Sequence, residues 1–273
     1  MNLDEFLKKN RIVVKDIKYQ IVNSKEKQDG VVIYLDNDEK INISVDIYFK
    51  YSINSLKGLD DNLYEILKSE ERLFLAYKGA LKKLASKDHT IKQIKDYFKN
   101  NKDLNDTEIK ETIDKLLSYG LLDDEKYCAN RVKYLNAQLL SSKQISIKLL
   151  KEGIPKELIN RYLIVNEEDE YHKAQRLANK YTNSIKNKSI NAKKQLIINK
   201  LVNLGFSYDT SKCALNELKL NDNSEIILLE KEYKKALQKY SKKYEGYELS
   251  RHIYSYLVNK GFISEDIKNI MEV

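Results

Sequence analysis

The sequence predicts a mainly α-helical protein: tandem three-helix repeats forming an elongated, curved body, with a small antiparallel β extension at the N-terminus. Three observations lead there. One stretch recurs: Lys148-Leu149-Leu150-Lys151-Glu152-Gly153-Ile154 returns as Lys200-Leu201-Val202-Asn203-Leu204-Gly205-Phe206 and again as Tyr256-Leu257-Val258-Asn259-Lys260-Gly261-Phe262. Each copy reads as the last turn of a helix, a glycine stop and an apolar residue that folds back on that turn. The glycines are 52 and 56 residues apart, the period of a supersecondary unit stacked several times. One proline and eight glycines are too few for the turns of a sandwich or barrel. Apolar residues recur at three- and four-residue steps from about residue 65 onward.

Residues 1–60 hold the β extension. Ile12-Val13-Val14 with Tyr19-Gln20-Ile21-Val22, and then Gly30–Leu35, read as strands. Asp36-Asn37-Asp38-Glu39 supplies a turn, and residues 41–45 alternate with period two. A hairpin or three-stranded sheet this small is marginal alone and is expected to lean on a helix. Residues 45–51 have a helical alternative, and residues 56–61 read as a turn.

The first repeat covers residues 61–122. Leu73, Ala76, Tyr77, Ala80, Leu81 and Leu84 make one stripe of a long helix, and Gly79 within it permits a close helix crossing. Thr90-Ile91-Lys92-Gln93 is a capping box that opens a second helix ending near Asn100-Asn101. The third, from Asn105 to Tyr119, turns Ile109, Ile113, Leu116 and Leu117 inward and ends at Gly120. The second repeat covers residues 123–166, with Asp123-Asp124-Glu125 at a helix start, where the dipole favours negative charge. Cys128, Val132, Leu135 and Leu139 line that helix, Ser141 and Gln144 open the next, and Pro155 begins the last. The third repeat covers residues 167–221, with Tyr171, Ala174, Leu177, Ala178 and Tyr181 inward and further helices over about 192–204 and 208–218. The fourth covers residues 222–273, with Ile226, Leu229, Tyr233, Ala236 and Tyr240, then Leu249, Ile253 and Leu257, then a helix from Ser264.

The net charge of +8 is uneven. Residues 1–60 carry ten basic and ten acidic side chains. Residues 126–151 carry six basic residues and 171–200 carry eight, with no acidic residue in either stretch. Such an excess suits an acidic partner such as nucleic acid, and the competing reading is a solvated, lysine-rich helix face. The contact candidates are Arg131, Lys133, Lys143, Lys148 and Lys151 in the second repeat, with Lys173, Arg176, Lys180, Lys186, Lys188, Lys193 and Lys194 in the third. Tyr127, Tyr134, Tyr162, Tyr171 and Tyr181 lie among these cations, but at stripe positions tyrosine reads as core.

Catalytic chemistry is not legible. No glycine-rich phosphate loop is present, and His89, His172 and His252 lie far apart without metal-ligand spacing. A helix start accounts for Asp123-Asp124 without acid–base work, and no serine or cysteine can be paired with a base. Cys128 and Cys213 read as buried free thiols in a reducing cytosol. No stretch approaches the roughly 20 apolar residues of a membrane span. The expectation is therefore a cytoplasmic binding protein, not an enzyme, with no cofactor and no metal.

The ordered motifs resemble the RecX family of recombination regulators. The resemblance rests on Val32-Ile33-Tyr34-Leu35-Asp36 before a helical body, Ala76-x-x-x-Ala80-Leu81-x-x-Leu84, Thr90-Ile91-Lys92-Gln93-Ile94 and the Lys148–Ile154 stretch. Its most specific part is Leu116-Leu117-x-x-Gly120-Leu121-Leu122-Asp123-Asp124-x-x-Tyr127. It spans most of the chain and matches longer members with four repeats and a β extension. Two positions depart: Lys87 stands where the family often has arginine, and Cys128 where it usually has alanine. Lysine keeps the charge but loses the bidentate fork. The resemblance implies tandem repeats that bind the RecA recombinase filament on single-stranded DNA; a monomer and weak binding to duplex DNA are expected beside it. It implies restraint of the filament's growth, ATP hydrolysis or strand exchange, with Lys87 added to the contact candidates. The alternative is a helical-repeat DNA-binding or protein-interaction module acting independently of RecA.

Overall fold

The computed structural model describes residues 12–20, 30–55, 57–100, 104–216 and 222–272. The strand end expected at Ile21-Val22, the turn residue Leu56, the helix stop at Asn101 and the helix end at Leu218 lie outside the described residues. Among those described, four strands precede and interleave with thirteen helices. The chain divides into two compact units, residues 1–127 with 152–154, and residues 128–151 with 155–273.

The first unit opens with β1 (Ile12–Gln20), β2 (Gly30–Leu35), β3 (Lys40–Ser44), α1 (Val45–Lys50) and β4 (Gly58–Leu59). The sheet is antiparallel, in the order β3-β2-β1-β4, with a register shift between Val14 and Asp16. The expected turn at residues 56–61 is in part this fourth strand, where Gly58 pairs with Val13 and Leu59 with Ile12. Ser44 ends β3 because its side chain accepts from Ile47 N–H and caps α1, so the helical alternative for residues 45–51 is the one taken. Val14, Val31, Ile33, Leu35, Ile41 and Ile43 form the buried face of the sheet.

That face is covered by α2 (Asp61–Leu84), which supplies Leu67. Edge strand β3 is tied to the same helix: Glu71 accepts from Asn42 backbone N–H at 2.8 Å and from its side-chain amide at 3.0 Å. The C-terminal half of α2 enters a second core with α3 (Ile91–Lys99) and α4 (Asp106–Ser118), built on Ala76, Ala80, Ile94, Phe98, Ile109, Ile113 and Leu116. A Cβ at Gly79 would lie 2.6 Å from Tyr97 Oη, so a side chain there would displace the Tyr97 hydroxyl. Leu117 is not inward as expected; it is 39% exposed, and Thr112 takes a buried place by donating to Glu108 O at 2.8 Å.

Helices continue in threes. The second set is α5 (Asp124–Ala137), α6 (Ser142–Glu152) and α7 (Lys156–Tyr162). The third is α8 (Glu167–Ser184), α9 (Ile190–Asn203) and α10 (Tyr208–Asn216). The fourth is α11 (Asp222–Tyr240), α12 (Gly246–Asn259) and α13 (Ser264–Met271). Ala174, Ala178, Ile197, Leu201, Phe206 and Ala214 make the core of the third set, and Leu229, Ala236, Ile253, Leu257, Phe262 and Ile267 that of the fourth. Three expectations are corrected. Leu139 lies past the end of α5 in a left-handed conformation, φ 60°, instead of on its stripe. Ile226 is 57% exposed although it stands three residues before the buried Leu229. Cys128 is buried, but Cys213 is exposed.

Candidate functional site

The scaffold that positions the basic residues is one junction built three times. The second helix of each of the first three repeats begins after a buried hydroxyl, on Thr90, Ser141 and Ser189. Each hydroxyl accepts from a backbone N–H in its own first turn, from Gln93 at 3.1 Å, Gln144 at 3.2 Å and Ala192 at 3.2 Å. Each also donates to a carbonyl at the end of the next repeat's second helix: Thr90 to Glu152 at 2.6 Å, Ser141 to Leu204 at 2.6 Å and Ser189 to Lys260 at 2.7 Å. Serine and threonine suit this place because one oxygen both donates and accepts, whereas an ionised aspartate only accepts.

A carboxylate from the next repeat's first helix completes the cap. Asp124 accepts from Ile91 N–H at 2.9 Å, Glu170 from Ser142 at 3.0 Å and Glu225 from Ile190 at 2.9 Å. These are otherwise orphan donors, and the helix dipole favours negative charge there. Burial pushes the Asp124 carboxyl above the usual carboxylate range, and the Ile91 N–H bond opposes that rise. Its neighbour Asp123 instead caps its own helix, accepting from Lys126 N–H at 2.9 Å.

The recurring glycine is the third part. A Cβ on Gly205 would fall 2.6 Å from Ser141 Oγ, and one on Gly261 would fall 2.7 Å from Ser189 Oγ. One on Gly153 would collide with the Lys92 side chain. Gly205 and Gly261 both have φ 87°, the left-handed region that lets Phe206 and Phe262 bond back to Leu201 and Leu257. The sequence repeat is therefore the trace of helix ends seated on preceding helix starts.

Around this scaffold, nine of the candidate cations are exposed: Lys87, Lys133, Lys143, Lys148, Lys151, Arg176, Lys180, Lys186 and Lys188. Arg131, Lys173, Lys193 and Lys194 are half-buried. Lys87 stands in the turn between α2 and α3 of the first unit, and the others belong to the second. Lys148 and Lys151 are three apart on α6, and Lys173, Arg176 and Lys180 follow one face of α8 at three- and four-residue steps. Arg131 lies over the exposed Tyr134 ring, 5.4 Å from its centroid. Arg176 lines a cleft of about 370 Å³ with Asn136, Ile164, Asn166, His172 and Lys173.

Lys173 departs from the expected role. Its ammonium lies 2.9 Å from Glu170 and 2.8 Å from Asn136 Oδ1, so it balances the carboxylate that caps α6 instead of facing a partner. Sequence reasoning also missed Glu232 in the fourth repeat. This buried carboxylate accepts from Lys235 at 2.5 Å and Tyr256 at 2.9 Å, and pairs with Lys260 at 3.3 Å. Those contacts, Lys235 first, hold its carboxyl down at about 2. Among the described residues no group of three or more His, Cys, Asp or Glu side chains could hold a metal ion. No helix among them is long and apolar enough to cross a membrane.

No protein-family profile matches the chain. Individual relatives do. A regulatory protein RecX from Lactococcus lactis subsp. lactis (strain IL1403) is 31% identical over 243 residues, covering 86% of this chain and 90% of the relative. One from Streptococcus thermophilus (strain CNRZ 1066) is 30% identical over 249 residues, covering 89% of this chain and 95% of the relative. A crystal structure of a regulatory protein RecX aligns with a TM-score of 0.59 at 22% identity, over 76% of this chain and all of that one, a likeness of fold.

Proposed function

This chain belongs to the RecX family of regulatory proteins, and from that premise we propose that it regulates the RecA recombinase, mainly as an inhibitor. In this reading it binds along the RecA–single-stranded DNA filament and modulates filament growth, ATP hydrolysis and strand exchange. It acts in the cytoplasm as a monomer, without a cofactor and without a reaction of its own. The observation that carries the proposal is sequence identity of about 30% to RecX proteins across about nine tenths of the chain.

The residues support it physically. Each three-helix segment (61–122, 123–166, 167–221 and 222–273) serves as one contact module. Linked weak contacts raise effective concentration, so several modules together bind more tightly than any one. The exposed cations Lys87, Lys133, Lys143, Lys148, Lys151, Arg176, Lys180, Lys186 and Lys188 are the contacts, with Arg131, Lys193 and Lys194 at their margin. The test is RecA-dependent ATP hydrolysis on single-stranded DNA with added protein, at two salt concentrations. Inhibition is expected, with the log–log salt slope of binding steepening by about 0.7 for each single-strand phosphate met. Hydrolysis unaffected at either salt would overturn the proposal.

A further inference from the structure

At the edge of its core the fourth repeat carries an aromatic cluster that the contacts proposed above do not employ. Helix α11 ends at Tyr240 and α12 begins at Gly246, with Lys242, Lys243 and Tyr244 in the turn between. The His252 ring stacks on Tyr244 with 3.9 Å between centroids and 26° between planes. It lies nearly parallel to Tyr240 as well, at 5.7 Å and 17°. Tyr247, in the first turn of α12, is 81% exposed. In the first three repeats the start of the second helix is the seat of the next repeat's glycine turn. At the start of α12 the corresponding residues are Glu245, Gly246 and Tyr247; Glu245 makes no side-chain cap, and space around Gly246 is open.

Charge accompanies the rings. Residues 231–251 carry seven basic and three acidic side chains. Glu232 is engaged by Lys235, Tyr256 and Lys260, and Glu248 faces Arg251 and the His252 ring nitrogen, each at 3.9 Å. Lys242 and Lys243 are exposed and enter no ion pair among the described residues. We propose that Tyr244, Tyr247 and His252, with Lys242 and Lys243, form a stacking site for the bases of single-stranded nucleic acid. Flat π faces accept any base, and neighbouring cations meet the phosphates. Lys242, Lys243 and Tyr244 share the short turn, with Tyr240 ending the helix before it and Tyr247 in the first turn of the helix after it.

The experiment is fluorescence anisotropy with end-labelled oligothymidylate and an abasic oligomer of equal length, with no recombinase present. Wild type is expected to bind thymidylate at least about fivefold more tightly than the abasic strand. Tyr247→Ala and Tyr244→Ala should each drive that ratio toward one, Tyr247→Phe should keep it, and Lys242→Glu with Lys243→Glu should weaken both strands equally. The Tyr247 ring is so exposed that its loss leaves the fold intact, which a circular-dichroism melt verifies. Equal affinity of wild type for the two strands, or a ratio unmoved by Tyr247→Ala, would overturn the site. The filament proposal stands or falls separately, on the hydrolysis assay.

Discussion

On α8, Lys173 and Glu170 sit 2.9 Å apart with side chains only 13% and 15% exposed, while Arg176 and Lys180 on the same face stand in solvent. The first pair secures the cap of α6. The second has no such task. Lys173 and Lys180 are the same residue type, so distance from a junction, not the side chain's charge, separates scaffold from surface. The same contrast runs along α9, where Leu201 is fully buried behind Gly205 and its neighbour Val202 is 40% exposed.

The sharpest break of that contrast is in the third core. Leu201→Ala should cost about 2–5 kcal/mol through lost packing, and Val202→Ala no more than about 0.5 kcal/mol, measured by urea unfolding. Next comes charge reversal on α8. Lys173→Glu faces Glu170 in a covered site and should cost about 3 kcal/mol, whereas Lys180→Glu should leave the melt within about 0.5 kcal/mol of wild type. Equal melting of these two variants would erase the distinction between junction and surface.

Acid unfolding tests a covered carboxylate in the fourth repeat. The Glu232 carboxyl lies at about 2 against the usual 4.5, so its ionised form stabilises the fold above about pH 4.5 and that contribution is lost as pH falls toward 2. Allowing for solvent around Lys235 and Lys260, Glu232→Gln should cost about 2 kcal/mol at pH 7. The gap from wild type should close between about pH 5 and 2; a gap independent of pH would show that the carboxylate's charge does not matter. The smallest effect belongs to the junction hydroxyl. Ser141→Ala should cost about 1–2 kcal/mol. Ser141→Asp, as good a cap in an isolated helix, should do no better, because a carboxylate has no proton for the Leu204 carbonyl. Rescue by aspartate would mean the cross-repeat bond is idle.

Much of the fold was legible because helix ends use short, local chemistry. The capping boxes at Thr90 and the helix stops at Gly205 and Gly261 each depend on a few adjacent residues, and each stands as read. Strand β4 was not legible, since two paired residues carry no periodicity. Leu117 and Ile226 match their helices' apolar spacing, yet they stand out in solvent, because a stripe does not say how wide the covered face is. Of the cross-repeat carboxylates, Asp124 reads only as part of a helix start. Asp124, Glu170 and Glu225 meet partners 33, 28 and 35 residues earlier, a distance no local pattern encodes. The junction contacts of Lys173 were hidden for the same reason: its partner Asn136 lies 37 residues away. The recurrence of the Ser141 and Gly205 chemistry at Ser189 and Gly261 was the available clue, although the bonded residues lie 63 positions apart in one junction and 71 in the other.

The most direct measurement joins the filament to the exposed cations of α8. RecA-dependent ATP hydrolysis on single-stranded DNA is followed with wild-type protein and with the double charge reversal Arg176→Glu, Lys180→Glu, alongside their circular-dichroism melts. Inhibition by wild type, its loss in the variant and superimposable melts are the expected result. Full inhibition by an equally stable variant would contradict it.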